Sequence, residues 1–438
     1  MKNRILLLGG VALCALTVVA APAQAATRHA RKPAASAQPA QAEQIRQLQA
    51  QIQALTDRLN AQEATQQQVQ AQAAEAQTTA QAAQQQADNQ VQDIPAQVNL
   101  AVAAIPKAKK TWAEDTSVNG RMYYDITNIT QKTNGARVAP TGTGFDVKRF
   151  YVGVDHKFND VFSANVTTDF NYVANDSQTQ VYVKKAYLQA KLNDALVIRI
   201  GSTDLPWVPF VEDLYGYRYV ENTLIDRTKY GTSADWGVHA SGKFGPNGMF
   251  NYAVAAIDGA GYKSPLRSKS VDFEGRLSAK VADFTLGLGG YTGKLGKETQ
   301  GVTTFHTAER INAIAVYNKG PIRLGGEYFE AKNWNNVLTT TEDKSDGYSL
   351  FGSYAFNDKF GMFGRYDRVK PNKDTKPALK DDYFNVGLTY SPAKIVDFAL
   401  VYKRDQADNG VIGTSNGNIG GSSKGTYDEV GLWGQFRW

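Results

Sequence analysis

Short polar turns recur at nearly constant intervals through most of this 438-residue chain. Successive turns are 34, 53, 36, 37, 38 and 35 residues apart, and longer segments rich in Gly, Asn, Asp and Ser lie between them. The turns fall at 159–160, 193–194, 246–247, 282–283, 319–320, 357–358 and 392–393. The longer segments fall around 131–144, 174–179, 258–270, 294–308, 331–346, 368–381 and 405–426. Short turns at one rim and long loops at the other are typical of a transmembrane β-barrel.

The segments between the turns alternate apolar and polar residues, so each predicted strand has one apolar face and one polar face that contacts water, here called the wet face. Val166 and Phe170, for example, alternate with Asn165 and Asp169. Seven short turns join fourteen strands, and one further strand at each end makes sixteen. The predicted fold class is therefore all-β, a 16-stranded antiparallel barrel over 117–438 whose lumen is wide enough for water.

The first quarter of the chain has a different composition, because all 47 aromatic residues lie at or after Trp112. Residues 1–25 have a basic start, an apolar core and the small-residue end Ala23-Gln24-Ala25, which predicts a secretory signal peptide. Residues 26–41 are Ala, Pro and basic residues, and we expect a flexible linker there.

Beyond this linker, apolar residues recur at alternating steps of three and four, at Ile45, Leu48, Ile52, Leu55 and Leu59. This spacing predicts a periplasmic coiled-coil helix over 42–94, and the Ile and Leu positions favour a dimer. A low-complexity Gln/Ala spacer is the alternative interpretation. Pro95 and Pro106 indicate the end of the helix and a second linker over 95–116.

Charge and hydropathy exclude two classes of protein. Of 48 basic and 42 acidic residues, 38 and 36 lie from Trp112 onward, so the predicted barrel is almost neutral. Nucleic-acid binding requires a clustered basic face, and no nucleic acid is expected as a partner. After the signal peptide no apolar run reaches the roughly 20 residues of a spanning helix, which excludes a multi-helix membrane protein.

The one long interval between turns contains an aromatic loop, predicted over 204–233. Leu205-Pro206-Trp207-Val208-Pro209-Phe210 opens it, and Tyr215, Tyr217 and Tyr219 follow. Exposing a loop this apolar to water is unfavourable. We therefore expect it to fold into the lumen as a constriction. Packing on top of the barrel or against a partner subunit is the alternative.

Residues in and around this loop resemble the phosphate-selective porin O and P family. The resemblance is carried by Arg199-Ile200-Gly201, Pro209-Phe210, Tyr217-Arg218-Tyr219, 221–227 and Gly237-Val238-His239-Ala240-Ser241-Gly242. It implies a sixteen-stranded, usually trimeric diffusion pore with a basic lumen and an anion preference. A trimer differs from the dimer that the heptad favours, and here the family resemblance is the stronger guide.

Basic residues on the wet faces are expected in the lumen, because a cation that faces lipid at mid-membrane costs about 2 to 4 kcal/mol. By strand parity these are Arg121, Arg149, Lys185, Lys191, Arg199, Arg276, Lys280, Arg323, Arg365 and Lys403. Acidic residues share the same faces, so a wall of internal salt bridges is an open alternative; they are Asp125, Asp155, Asp169, Asp272, Glu274, Glu327, Asp367 and Asp405. The predicted constriction residues are Arg218, Arg227, Lys229, Arg199, Arg149, Lys185, Arg276 and Arg323.

The predicted function is passive diffusion of small hydrophilic solutes, with a preference for phosphate or other anions, through the outer membrane of a Gram-negative bacterium. The expected partners are outer-membrane lipid and other copies in a homotrimer, and peptidoglycan is a further candidate partner. A general or carbohydrate porin, with the helix as a cell-wall tether, is the alternative. No HExxH accompanies the four histidines, so we expect no enzyme activity, cofactor or metal.

Overall fold

The computed structural model describes residues 38–103, 111–139, 141–173 and 178–438. The chain divides into two compact units, 1–108 and 109–438. The predicted signal peptide (1–25), and the predicted linker (26–41) up to residue 37, lie outside the described residues.

The first unit contains one long helix, α1 (Gln38–Ala103). It passes through Pro95 instead of ending there. Proline removes a backbone hydrogen bond, but the Ala, Gln and Leu residues that follow favour helix. The heptad positions Leu48, Ile52, Leu55 and Leu59 are exposed on the single chain; Leu55, for instance, is 65% exposed. In the described parts of the chain, no helix has both the length and the apolarity needed to cross a membrane.

Seventeen strands of the second unit form one closed antiparallel sheet, and one of them, Ala136–Arg137, is only two residues long. The other sixteen, numbered here in chain order, are β1 (Thr116–Thr133), β2 (Gly142–Lys157), β3 (Phe162–Val173), β4 (Gln178–Asn193), β5 (Leu196–Asp204), β6 (Ala234–Phe244), β7 (Phe250–Ile257), β8 (Asp272–Val281), β9 (Phe284–Gly293), β10 (Ala308–Lys319), β11 (Ile322–Lys332), β12 (Lys344–Ala355), β13 (Phe360–Lys370), β14 (Lys380–Ala393), β15 (Val396–Thr414) and β16 (Gly417–Arg437). Each strand pairs with its neighbours in sequence, and β1 pairs with β16 to close the barrel. The predicted sixteen-stranded barrel is confirmed.

The prediction of a long loop at 405–426 is wrong. The two strands β15 and β16 continue as a hairpin to a tight turn at 415–416. Ala407, Ile412, Ile419 and Tyr427 form a buried apolar cluster there, and this packing stabilises the extension. The Gly and Asn residues had suggested a loop because the sequence does not show which residues meet across a hairpin.

The two faces of the wall differ as the alternation predicts. Outward side chains such as Val166, Leu277 and Leu388 are half exposed on the isolated barrel, as lipid-facing residues are. Inward side chains such as Asp169 and Lys403 are polar and buried. Polar groups can be buried on this side because they pair with one another, as Arg149 does with Asp169, or with the loop 205–233 inside the barrel, as Lys403 does with Glu221.

The inner loop contains two short helices, α2 (Val208–Tyr215) and α3 (Leu224–Arg227). Pro209 lies in the first turn of α2, where no backbone donor is lost. Gly216 ends the helix in the left-handed region, at φ 82°. Trp207, Val211 and Tyr215 pack with inward residues of β9–β12 in the largest apolar cluster of the barrel, so the loop fills one side of the lumen.

Candidate pore constriction

Trp207 fixes the start of the inner loop to the wall. Its backbone N–H donates to Glu274 Oε1 at 2.9 Å, and its indole N–H donates to Glu327 Oε1 at 2.8 Å. The indole lies over Gly289, where an added Cβ would come within 2.4 Å of Trp207 Cε3. Glycine on β9 therefore makes the space that this side chain occupies.

Arg227 fixes the end of the loop, and it has no exposed surface. Nε donates to Asp367 at 3.0 Å, Nη2 to Asp381 at 2.6 Å and Nη1 to Asp405 at 3.0 Å. The guanidinium also lies 4.4 Å from the ring centroid of Tyr383. The expectation that Arg227 faces the pore is therefore wrong: three inward carboxylates on adjacent strands hold it against the wall.

Further buried ion pairs extend this attachment. Lys403 Nζ lies 3.3 Å from Glu221 Oε2 and 2.6 Å from Glu429 Oε2. Arg365 donates twice to Asp367, at 2.7 and 2.6 Å. A further Arg365 N–H donates to the backbone oxygen of the loop residue Asn222 at 2.6 Å. On this side of the barrel, a wall of internal salt bridges describes the structure better than a row of cations that face the open lumen.

Two predicted lumen arginines also hold the loop. Arg276 Nε donates to the backbone oxygen of Pro206 at 2.8 Å, and its guanidinium stacks on Phe210 at 4.1 Å. Arg323 donates to the backbone oxygen of Tyr215 at 3.1 Å.

Lys229, the third predicted cation near the loop, is exposed and occupies a left-handed turn at φ 63°. It lines a cavity of about 300 Å³ together with Asp235, Lys297 and Arg310. Arg149 and Lys185 are not among the residues that line this cavity, so it does not bring Lys229 together with them.

The opposite side of the lumen, formed by β1–β5, has a different chemistry. Two β-bulges occur there, one where β1 meets β2 and one where β3 meets β4. A bulge re-aims side chains by inserting one extra residue. As a result both members of the consecutive basic pairs, Lys148 with Arg149 and Lys184 with Lys185, have partners on the inner side.

The contacts of these four cations show that their side chains point to the inner side of the barrel. Lys148 Nζ lies 3.8 Å from Asp125, and Arg149 Nη1 lies 2.8 Å from Asp169. Lys184 Nζ lies 4.6 Å from the centroid of Tyr151, and Lys185 Nζ lies 2.5 Å from Asp204. Strand parity missed Lys148 and Lys184. The adjacent basic pairs in the sequence were the available signal, since one lipid-facing lysine per pair would be costly.

The remaining inward cations of this side lie at different depths, and Arg199 is nearer the short turns than the two basic pairs. Arg121 donates to the hydroxyl of Tyr123 at 3.2 Å. Arg199, as predicted, faces inward, where it donates to Gln189 at 2.8 Å. Lys263, from the loop 258–271, lies 4.5 Å from the centroid of Tyr182. Burial, and then the nearby Arg149, lower the pKa of Lys263 to about 8.

The loop presents a mixed but mainly acidic face to this wall. Arg218 Nε lies 2.6 Å from Glu212 Oε1, and its Nη2 lies 3.5 Å from Asp226 Oδ2. Glu212 interacts electrostatically with Lys184, and Asp213 interacts with Arg121. The predicted constriction residue Arg218 thus lies opposite Arg149 and Lys184.

A cavity of about 1370 Å³ leads to this region from the long-loop side. Lys148, Tyr182, Lys263, Asp125 and Glu429 are among its lining residues. Among the residues that the structure describes, no group of three His, Cys, Asp or Glu side chains has the geometry of a metal site.

Comparison with known families places the barrel among outer-membrane channels. Residues 117–210, from β1 into α2, match the family described as phosphate-selective porin O and P. The matched family and the barrel fold are those of a porin, a channel of the Gram-negative outer membrane.

Solved structures share the fold of the porin. An anion-selective porin from Comamonas acidovorans has a TM-score of 0.55 at 13% identity, covering 74% of this chain and 99% of that one. The outer membrane channel DcaP of Acinetobacter baumannii has a TM-score of 0.54 at 14% identity, with coverages of 74% and 97%. OmpT of Vibrio cholerae has a TM-score of 0.51 at 16% identity, again with coverages of 74% and 97%. No curated protein sequence matches the chain.

Proposed function

We propose that this porin lets small hydrophilic solutes diffuse through the gap between the inner loop and the wall β1–β5, with a modest preference for anions. The basic wall supports this proposal. Among the described residues, the wall at this level contributes six cations, Arg121, Lys148, Arg149, Lys184, Lys185 and Lys263, against four carboxylates, Asp125, Asp146, Asp169 and Asp204.

The loop has the opposite balance, since Arg218 faces three carboxylates, Glu212, Asp213 and Asp226. The electric field therefore points across the passage, from wall to loop. Charges in a narrow passage with low-dielectric walls act over a longer range than in water. Anions are then attracted along the wall, and the guanidinium groups of its arginines can donate paired hydrogen bonds to phosphate or carboxylate. One relative of the same fold is described as anion-selective.

The wild-type zero-current potential tests this proposal. In a planar bilayer with a KCl gradient, we expect its sign to show that chloride is more permeant than potassium. A cation-selective wild type would refute the proposal. Added phosphate, but not maltodextrin, is expected to reduce the current. The reverse result would favour the carbohydrate porin.

The lowered pKa of Lys263 predicts that ion selectivity depends on pH. Its pKa of about 8 means that the ammonium group loses its proton as the pH rises through that value. Asp169, Asp226, Lys184 and Arg149 all act on this group. Raising the pH from about 6 to about 10 should therefore lower the chloride preference. The Lys263→Met variant should lack most of this change, and an unchanged pH response in that variant would contradict the prediction.

We further propose that the porin assembles as a homotrimer and that α1 forms a coiled coil in the periplasm. Vibrio cholerae OmpT, which shares the fold, is described in a trimer form. The exposed apolar row of α1, here called the seam, consists of Leu48, Ile52, Leu55 and Leu59. It supports self-association, because an exposed row of Ile and Leu is unfavourable in water. Retention on peptidoglycan by the full chain, but not by a chain lacking 42–94, would support the tether role.

Substitution in the seam tests the coiled coil. Leu55→Lys is expected to weaken association and to lower the helical circular-dichroism signal. Gln53→Lys, which adds the same charge beside the seam, should change neither. Equal effects of the two variants would instead favour a Gln/Ala spacer.

A further inference from the structure

A second cavity, here called the side cavity, lies beside the end of the inner loop. None of the six described cations assigned to the passage above lines it. Lys229 and Thr232 of the inner loop form one side of it. The other sides come from the long loops after β7, β9 and β11, through Gly259, Leu295 and Asn335. Its volume of about 300 Å³ is that of a small-molecule site.

Part of the lining of the side cavity is apolar and aromatic. Tyr291 and Trp334 lie edge to face, with ring centroids 5.0 Å apart and planes inclined at 60°. The indole N–H of Trp334 donates to the backbone oxygen of Lys229 at 3.0 Å, which fixes this ring. Leu205 and Ile257 complete the apolar lining, and these four side chains are buried. An apolar lining of this kind packs well against the ring of a ligand, whereas an inorganic anion has no apolar surface to bury.

The two carboxylates that line the side cavity already have partners. Glu274 and Arg310 form a buried ion pair at 3.0 Å. Asp235 accepts from the backbone N–H groups of Trp236 and Gly259 at 2.8 and 2.9 Å. A cationic ligand would therefore compete with contacts that are already made.

The two lysines that line the side cavity are not neutralised in this way. Within the part of the chain that the structure describes, neither Lys229 nor Lys297 forms an ion pair. Burial lowers the pKa of Lys297, whereas a neighbouring carboxylate would raise it. A partly buried ammonium group without a counter-ion is stabilised by an anionic ligand. The side cavity therefore offers two cations beside an apolar lining.

We propose that the side cavity binds small aromatic monocarboxylates. The ring packs against Tyr291 and Trp334. The carboxylate lies between the ammonium groups of Lys229 and Lys297, and so joins the end of the inner loop to the long loop after β9. A second carboxylate on the ligand would meet the apolar lining, where a buried charge is costly. This site goes beyond the function proposed above, because the passage does not depend on either lysine.

Isothermal titration of the detergent-purified, full-length porin with benzoate tests the proposal. Benzyl alcohol, which has the ring without the charge, and acetate, which has the charge without the ring, would be titrated in parallel. We expect each to bind about tenfold more weakly than benzoate, because each lacks one of the two contacts. Phthalate, which carries a second carboxylate, is also expected to bind more weakly than benzoate.

The variant K229Q/K297Q removes both ammonium groups and should bind benzoate about tenfold more weakly than the wild type. The matched control K269Q/K376Q removes the same charge from exposed positions of the long loops that do not line the side cavity. It should bind benzoate like the wild type. If the double variant does not fold, Lys297→Gln alone should show a smaller loss of affinity in the same titration.

Several results would overturn the proposal. Equal benzoate affinity in the wild type and in the folded lysine variant would do so. Acetate or inorganic phosphate that binds as tightly as benzoate would show a general anion site, and benzyl alcohol that does so would show an apolar cavity only. Equal affinity for phthalate would contradict the preference for one carboxylate. These outcomes are separate from the test of ion selectivity, because binding is measured in detergent without a membrane potential.

Discussion

Replacing Arg227 by Met is expected to detach the second half of the inner loop from the barrel wall. Among the residues that the structure describes, the substitution leaves Asp367, Asp381 and Asp405 buried with Arg365 as the one cation in an ion pair with them. Breaking a buried ion pair in this way costs about 3 to 5 kcal/mol, because the remaining charges are uncompensated. We expect a lower thermal midpoint in detergent and a larger, noisier single-channel conductance, since the loop narrows the lumen.

Arg437→Met is the matched control for this experiment. Its guanidinium lies 3.0 Å from Asp397 but is 38% exposed. An exposed pair contributes about 0 to 1 kcal/mol, so the control should keep the conductance and nearly the thermal midpoint of the wild type. If Arg227→Met behaves like this control, the three carboxylates do not hold the loop.

Removal of the four cations at the two β-bulges is expected to reverse ion selectivity. The variant K148Q/R149Q/K184Q/K185Q leaves Arg121 and Lys263 against the four carboxylates of the same wall. The field across the passage then loses its positive side. We expect the zero-current potential in a KCl gradient to change sign, and the shift to shrink as salt increases.

Two further variants make this test specific. E212Q/D213N removes negative charge from the loop and should increase the chloride preference. K332Q/K344Q/K370Q/K424Q removes four positive charges from the outer surface and should leave the potential nearly unchanged, because the charges are outside the lumen and screened. An unchanged potential in the wall variant would show that these cations do not set selectivity.

The position of the inner loop was predictable, whereas its attachments were not. A single interval of 53 residues among intervals of 34 to 38 located the insertion, and its aromatic content indicated burial. Arg227, however, meets carboxylates 140, 154 and 178 residues away in the sequence. Local pattern does not specify which of several inward acids an arginine reaches.

The same distinction applies to the lumen. Strand parity correctly placed Arg149, Lys185 and Arg199 inside, because alternation follows from the pleat of the backbone. It could not place Lys148 and Lys184, because a β-bulge shifts parity by one residue and depends on pairing with another strand.

The sequence by itself determined the number of strands, the two rims and the presence of an inner loop. These follow from local alternation and from the spacing of turns, which act over a few residues. The tertiary structure alone decided which cations are paired with the loop and which line the passage. That division depends on contacts between strands far apart in the chain, where burial makes each unpaired charge costly and so selects one set of partners.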